Sequence, residues 1–303
     1  MPAIRNIILA MGIAGAVWLV PALPAAAQQV FPTPEAASAA LVDGARHPGQ
    51  GWLDKIFGDG GGDLFTSGDA DVDRQQLADF LGLAENGTSV VDGENGEKRL
   101  VFGASGWQFP VPLKKGKDGW TFDLAAGRQA VIDRAVGRNE LLAIDACADY
   151  VAAQNEYFAS LHDDEPVQQY ARRFLSSEGL HDGLYWEPES QTDISPLGDR
   201  IAAVESGEGD EPGTYHGYHF RILTRQGPEA PGGAYDYLVN GRLLAGFAML
   251  AYPAEWGSSG VMSFLCDQRG EVYQSNIGPQ TDKLATRILS FNPGPGWAVV
   301  PTE

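Results

Sequence analysis

The chain has 303 residues, enough for about two domains at ~100–200 residues each. With 44% hydrophobic residues, 38 Gly and 19 Pro, it is a turn-rich globular sequence and not a disordered one. Its net charge of −19 argues against nucleic acid and anionic lipid as primary partners, because both are held by clustered Lys and Arg.

The first 27 residues have the pattern of a cleavable export signal. Arg5 supplies a short positive start, Ile7–Val20 is an apolar run, and Ala25-Ala26-Ala27 provides small residues for cleavage. The apolar run is shorter than the ~20 residues of a spanning helix. The expected mature chain begins near Gln28 and is periplasmic or secreted. It has no membrane span after cleavage, and 20 basic residues against 40 acidic.

Thr33 is placed as an N-cap, with Pro34 and Glu35 in the first turn of a helix running to about Arg46 and burying Ala37, Ala40 and Leu41. Trp52–Phe57 is a short helix or turn, Gly58–Asp63 a glycine-rich loop, and Asp73–Leu83 a helix with Leu77, Phe80 and Leu81 on one side. Strand-like runs follow at Arg99–Ala104, Gly106–Leu113 and Gly119–Asp123, with a turn at Lys117-Asp118-Gly119. Trp107, Phe109, Trp120 and Phe122 are expected to anchor this sheet. Helices on such a sheet can also enclose a small ligand, with Trp107 and Trp120 as lining residues; core packing is the alternative. Leu124–Ala135 is expected to be helical and to end near Gly137, the expected domain boundary.

The second domain, 137–303, opens with a helix over about Asn139–Ser160. Leu141, Ile144, Ala148, Val151 and Phe158 form its expected apolar stripe. After a loop-rich span, Gly179–Thr214, an antiparallel meander occupies Tyr215–Gly278. Thr281–Leu289 is expected to be a last helix before an extended, Pro-rich tail. The fold class is α+β: a small helix-plus-antiparallel-sheet domain (28–136), then a long helix packed on a meander. Cys147 falls near the helix stripe, and Cys266 shares a strand face with Met262 and Phe264. The pair either forms a disulfide or remains two buried thiols.

The strings WQFPVPL, GWTFDLAAG, GRNELLAI, AQNEY, SSEGLHDGLYW, SPLG, GYHFRIL, APGGA, GFAMLAYP, GVMSF and GEVYQ, in this order, resemble the DUF2950 family of exported bacterial proteins. The resemblance covers nearly all of the mature chain. It carries over no catalytic residues, since that family is one of unknown function. The second half is also similar, at the level of fold, to a type IV pilin or pseudopilin head. That likeness rests on Ala153–Tyr157, Gly217-Tyr218, Gly260–Phe264 and Asp267–Tyr273.

Common catalytic signatures are missing: there is no HExxH, CxxC, GxxxxGK[ST] or GxSxG. Asp69, Asp71 and Asp73 begin like a calcium loop, but Arg74 and Phe80 stand where Gly and Glu are needed. His47 and His162 are expected to face solvent. His216 and His219 have odd spacing and cannot share a strand face. No catalytic, cofactor or metal residue is therefore assigned. Tyr185, Trp186, Tyr215, Tyr218, Tyr235, Tyr237, Tyr252 and Trp256 gather in loops and strand ends, either as a contact surface for an envelope protein or glycan or as cover for the sheet. The expected function is a non-enzymatic binding or envelope-assembly module. The alternative is a periplasmic hydrolase with a cleft around His181 and Asp182.

Overall fold

The structure is a computed structural model that describes residues 28–66, 70–188, 190–197 and 214–301. The expected signal segment and Asp69 lie outside the described residues. The chain divides into two compact units, residues 1–126 and 127–303. Both are built from helices and antiparallel sheet, the α+β class expected.

In the first unit, α1 spans Pro34–Arg46, and the Thr33 side chain accepts the Ala36 N–H as its N-cap. Helix α2 is Trp52–Phe57 and α3 is Ala70–Glu85. The latter starts earlier than expected, which places Asp73 in its first turn. The sheet contains β1 (Thr88–Asp92), β2 (Lys98–Phe102), β3 (Trp107–Gln108), β4 (Leu113–Lys115) and β5 (Trp120–Phe122). Its order is β1-β2-β4-β5, with β3 also paired to β2. The run expected as one strand over Gly106–Leu113 is split, because Pro110 and Pro112 lack the N–H a ladder needs. β4 and β5 form the expected hairpin, closed by the Gly116 N–H donating to the Gly119 carbonyl at 2.7 Å. Gly119 has φ +146°, and a Cβ there would lie 2.4 Å from the Phe31 carbonyl oxygen, so only glycine fits. Leu100 and Phe102 alternate inward from β2 to meet Leu41, Phe57 and Phe122. Each large side chain fully buried here contributes about 1.5–3 kcal/mol.

The second unit is dominated by α4, Leu124–Phe158, one unbroken helix of 35 residues. The expected break at Gly137 is absent: Gly137 is exposed, nothing crowds it, and a mid-helix glycine costs only about 1 kcal/mol. The strands are β6 (Tyr218–Leu223), β7 (Arg225–Gln226), β8 (Tyr235–Asp236), β9 (Leu238–Val239), β10 (Arg242–Leu243), β11 (Ala248–Pro253), β12 (Ser263–Asp267), β13 (Val272–Ser275) and β14 (Ala298–Val299). The main sheet is antiparallel in the order β14-β13-β12-β11-β6. The short helix α5, Thr281–Ala285, ends sooner than expected.

Register assigns the two faces. Phe220 pairs with Ala251, which pairs with Phe264; Met249 pairs with Cys266. That face meets α4: Ala143 packs against Tyr218, Ala251 and Phe264, and Cys147 lies at disulfide distance from Cys266, with Cα atoms 6.1 Å apart. On the other face Arg221 pairs with Leu250, and its guanidinium donates to the carbonyls of Ala285 and Ile288 around the end of α5.

The stripe of α4 differs from the one expected. Leu141 and Ala148 are exposed. Besides Gly127 near its start, the buried positions are Ala143, Ala146, Cys147, Tyr150, Ala153, Gln154 and Tyr157. Small residues let the helix approach the sheet closely, and the polar ends of the long ones find partners. Tyr150 donates to the Ala248 carbonyl at 3.3 Å. Gln154 donates to Tyr150 and to the Ala171 carbonyl, and accepts the Ala171 N–H at 2.8 Å. An apolar-only count passes over such a stripe. No helix among the described residues is long and apolar enough to cross a membrane.

Candidate functional site

Two cavities stand out, one in each unit. The first unit holds one of about 560 Å³, lined by α2, α3, the turn at Phe65 and the β3 strand with its following Pro110. Its wall is aromatic. Phe57 and Phe65 have ring centroids 4.9 Å apart, Phe65 stacks on Phe109 at 5.6 Å, and Phe80 meets Phe109 at 6.2 Å and Trp107 at 6.4 Å. The proline break after β3 helps turn this wall inward. Phe109 is 6% exposed, although its N–H still donates to the Leu100 carbonyl at 2.8 Å. Trp107 is 36% exposed and Trp52 half-buried, so both present ring surface at the opening. Thr66, Asp73, Gln76 and Asp79 complete the lining. Among the described residues, no Lys, Arg or His lines it. The cavity has the size and the aromatic walls to hold an apolar body.

The second unit's cavity, about 610 Å³, is polar and lies beside the C-terminal end of α4. Arg242 donates through Nε (2.9 Å) and Nη2 (2.7 Å) to Glu165, and Arg172 donates to the Gly241 carbonyl at 3.1 Å. Arg173 lies 3.4 Å from Asp182. Burial pushes the Tyr157 phenol up, helped by the negative charges of Asp163, Asp182 and Glu165, so it stays a neutral donor to the His181 carbonyl at 2.6 Å. The charged groups of this cavity hold its own loops together.

His181 and Asp182 do not converge. The His181 ring packs on Trp186, with centroids 4.3 Å apart, and its Nε2 lies 3.7 Å from Asp193. Asp182 turns to Ser177, accepting its N–H at 2.7 Å and its hydroxyl at 3.0 Å. His162, expected to face solvent, is half-buried and stacks on Tyr157 at 3.9 Å, because the ring covers the end of α4. His47 is exposed as expected; His216 is exposed, and His219 stacks beside Tyr252 at 5.1 Å. No group of three or more His, Cys, Asp or Glu among the described residues is arranged to hold a metal ion.

The loop aromatics do not form an exposed patch. Tyr218, Tyr237 and Trp186 are buried, and Tyr185, Tyr215, Tyr252 and Trp256 are half-buried; Tyr235 is the exposed one. Tyr237 lies against Gln226, to which its hydroxyl donates at 3.0 Å. These rings chiefly cover the sheet. Of the two tryptophans read as lining a ligand space, Trp107 does so, while Trp120 lies elsewhere under Lys115, 5.8 Å from its Nζ. Sequence reasoning missed Trp52, Phe65 and Phe80 as lining residues. The available signal was the density of aromatics between Trp52 and Phe109.

Fold and cavities together define a two-unit α+β protein whose first unit holds an aromatic-walled cavity. The chain belongs to the DUF2950 family, described as a protein of unknown function, which matches residues 28–300. No curated protein and no solved structure matches the chain, so nothing among them supports the expected likeness of its second half to a pilin head.

Proposed function

We infer that the protein is an exported, periplasmic, non-enzymatic binding module whose ligand seat is the aromatic cavity of the first unit. The observation that carries this reading is the cavity: about 560 Å³ of aromatic-walled space, within the ~300–1,000 Å³ range of small-molecule sites. Export is supported by Arg5, the Ile7–Val20 apolar run and the Ala25–Ala27 cleavage pattern. A cysteine pair at bonding distance suits an oxidising compartment. An envelope protein or glycan would need an exposed aromatic patch, and of the loop aromatics Tyr235 alone is exposed, so the cavity is the better-supported seat. The hydrolase reading would need His181, Asp182 and a third group aimed at one point, and their side chains take separate partners.

The test is titration of the purified protein with a neutral apolar fluorophore, N-phenyl-1-naphthylamine, whose emission rises in apolar surroundings. One saturable site is expected, weakened about tenfold or more in Trp107→Ala, which removes a half-exposed ring from the opening. Absence of saturable binding refutes the reading. Cell fractionation and intact mass test export, with Gln28 as the expected first residue; a cytoplasmic, unprocessed chain refutes that part.

A further inference from the structure

We propose that the aromatic cavity of the first unit selects a flat aromatic body over a saturated one of the same size. The proposal rests on the binding reading above and adds the chemical class of the ligand.

Phe109 is the pivot of the cavity wall. Three other lining rings stand around it, with centroids at 5.6 Å (Phe65), 6.1 Å (Trp107) and 6.2 Å (Phe80). They come from separate places in the chain: the turn before α3, strand β3 and helix α3. All three therefore lie within reach of one small body seated beside Phe109. Phe109 itself is 6% exposed and Phe57 only 1%, so these two are mainly packed by the protein. Phe65 and Phe80 are half-buried and Trp107 is 36% exposed, so each of the three keeps ring surface that the protein leaves uncovered.

These uncovered rings take two orientations. Phe65 lies within 17° of the Phe109 plane, whereas Trp107 is inclined to that plane by 76° and Phe80 by 52°. A flat ring laid parallel to Phe65 therefore meets Trp107 steeply. One planar body finds an offset-stacked neighbour and an edge-to-face neighbour together, the two arrangements that aromatic pairs prefer. A saturated body of the same skeleton has no ring quadrupole to match either neighbour. Two effects then compete. Burial of area favours the saturated body, which has the larger apolar surface. Ring pairing favours the flat one. Six of the lining residues are aromatic, against four leucines and a proline, so pairing is the term this wall is built to supply.

The experiment displaces bound N-phenyl-1-naphthylamine with two uncharged alcohols on one carbon skeleton. Biphenyl-4-methanol has two flat rings; 4-cyclohexylcyclohexanemethanol is its fully hydrogenated counterpart. The affinity of each is set against its own octanol–water partition, which removes the area term. Relative to partition, the aromatic alcohol should bind about tenfold or more better than the saturated one, the order expected of two ring pairings. Phe65→Leu with Trp107→Leu removes both rings and keeps the wall apolar. In that variant, with the fluorophore's own affinity measured afresh, the aromatic excess should vanish while the saturated alcohol changes little. The comparison in the unaltered protein decides by itself should the variant not fold. Two alcohols that rank by partition alone, or an aromatic preference that persists in the folded variant, overturn the proposal and leave the apolar seat standing. A fluorophore that never binds overturns both.

Discussion

Breaking the link between Cys147 and Cys266 should destabilise the second unit by about 3–5 kcal/mol. The two residues are 119 positions apart, one on α4 and the other on β12 at the middle of the sheet. Closing a loop of that length in the unfolded chain removes about 16 cal/mol/K, or about 5 kcal/mol at 25 °C, and measured values run at or below this limit. Both cysteines are buried, at 1% and 0% exposure, so reduction needs denaturant and refolding in a reductant. The assay is guanidinium unfolding of oxidised and reduced protein, followed by tryptophan fluorescence and far-ultraviolet circular dichroism. Using reduction instead of substitution leaves both sulfurs in place and avoids a cavity term. The first unit has no cysteine, so its transition should stay where it is. A reduced protein within about 1 kcal/mol of the oxidised one would refute the loop-closure argument. Free thiols in the native protein would refute the bond itself.

Gln154→Leu should cost about 2–5 kcal/mol, because it strands the buried N–H and carbonyl of Ala171 together; equilibrium unfolding reads it. Asp123 should contribute acid-sensitive stability. Burial alone would raise its carboxyl, but the Ala126 N–H and Lys114 outweigh that and hold it below the usual carboxylate value. A lowered folded value means stability present above the unfolded value of ~4 and lost as pH falls through the folded one. Asp123→Asn should therefore flatten the stability profile below about pH 4. Burial pushes the phenols of Tyr150, Tyr157, Tyr218 and Tyr237 well above the ordinary tyrosine value. Their contribution is full below ~10 and lost as pH rises toward the folded values. In an alkaline titration at 295 nm these rings should ionise only together with unfolding, and ionisation of all ten tyrosines in the folded protein would contradict their burial.

What could be read from the chain was what short-range chemistry dictates. The Thr33 cap, the Lys117–Gly119 turn and the face shared by Phe264 and Cys266 all follow from a few neighbouring residues. The stripe of α4 was misread because alanines, Gln154 and two tyrosines do its packing, while Leu141 points outward. The break expected at Gly137 failed because a single glycine is a small cost against a helix held along the sheet. The aromatic cavity was half legible. Trp107 was expected at a ligand space, but its partners come from Leu41 to Pro110, and only tertiary structure brings α2, α3 and β3 together. Adjacent residues do not normally aim at one point, and the side chains of His181 and Asp182 go separately to Trp186 and Ser177.

The most direct test of the account is native mass spectrometry of the protein purified from its own host, with solvent extraction and identification of anything released. The account predicts one small apolar molecule per chain, absent when Trp107→Ala and Phe80→Ala open the aromatic wall. A chain that carries no small molecule, or one whose bound molecule survives loss of that wall, would contradict it.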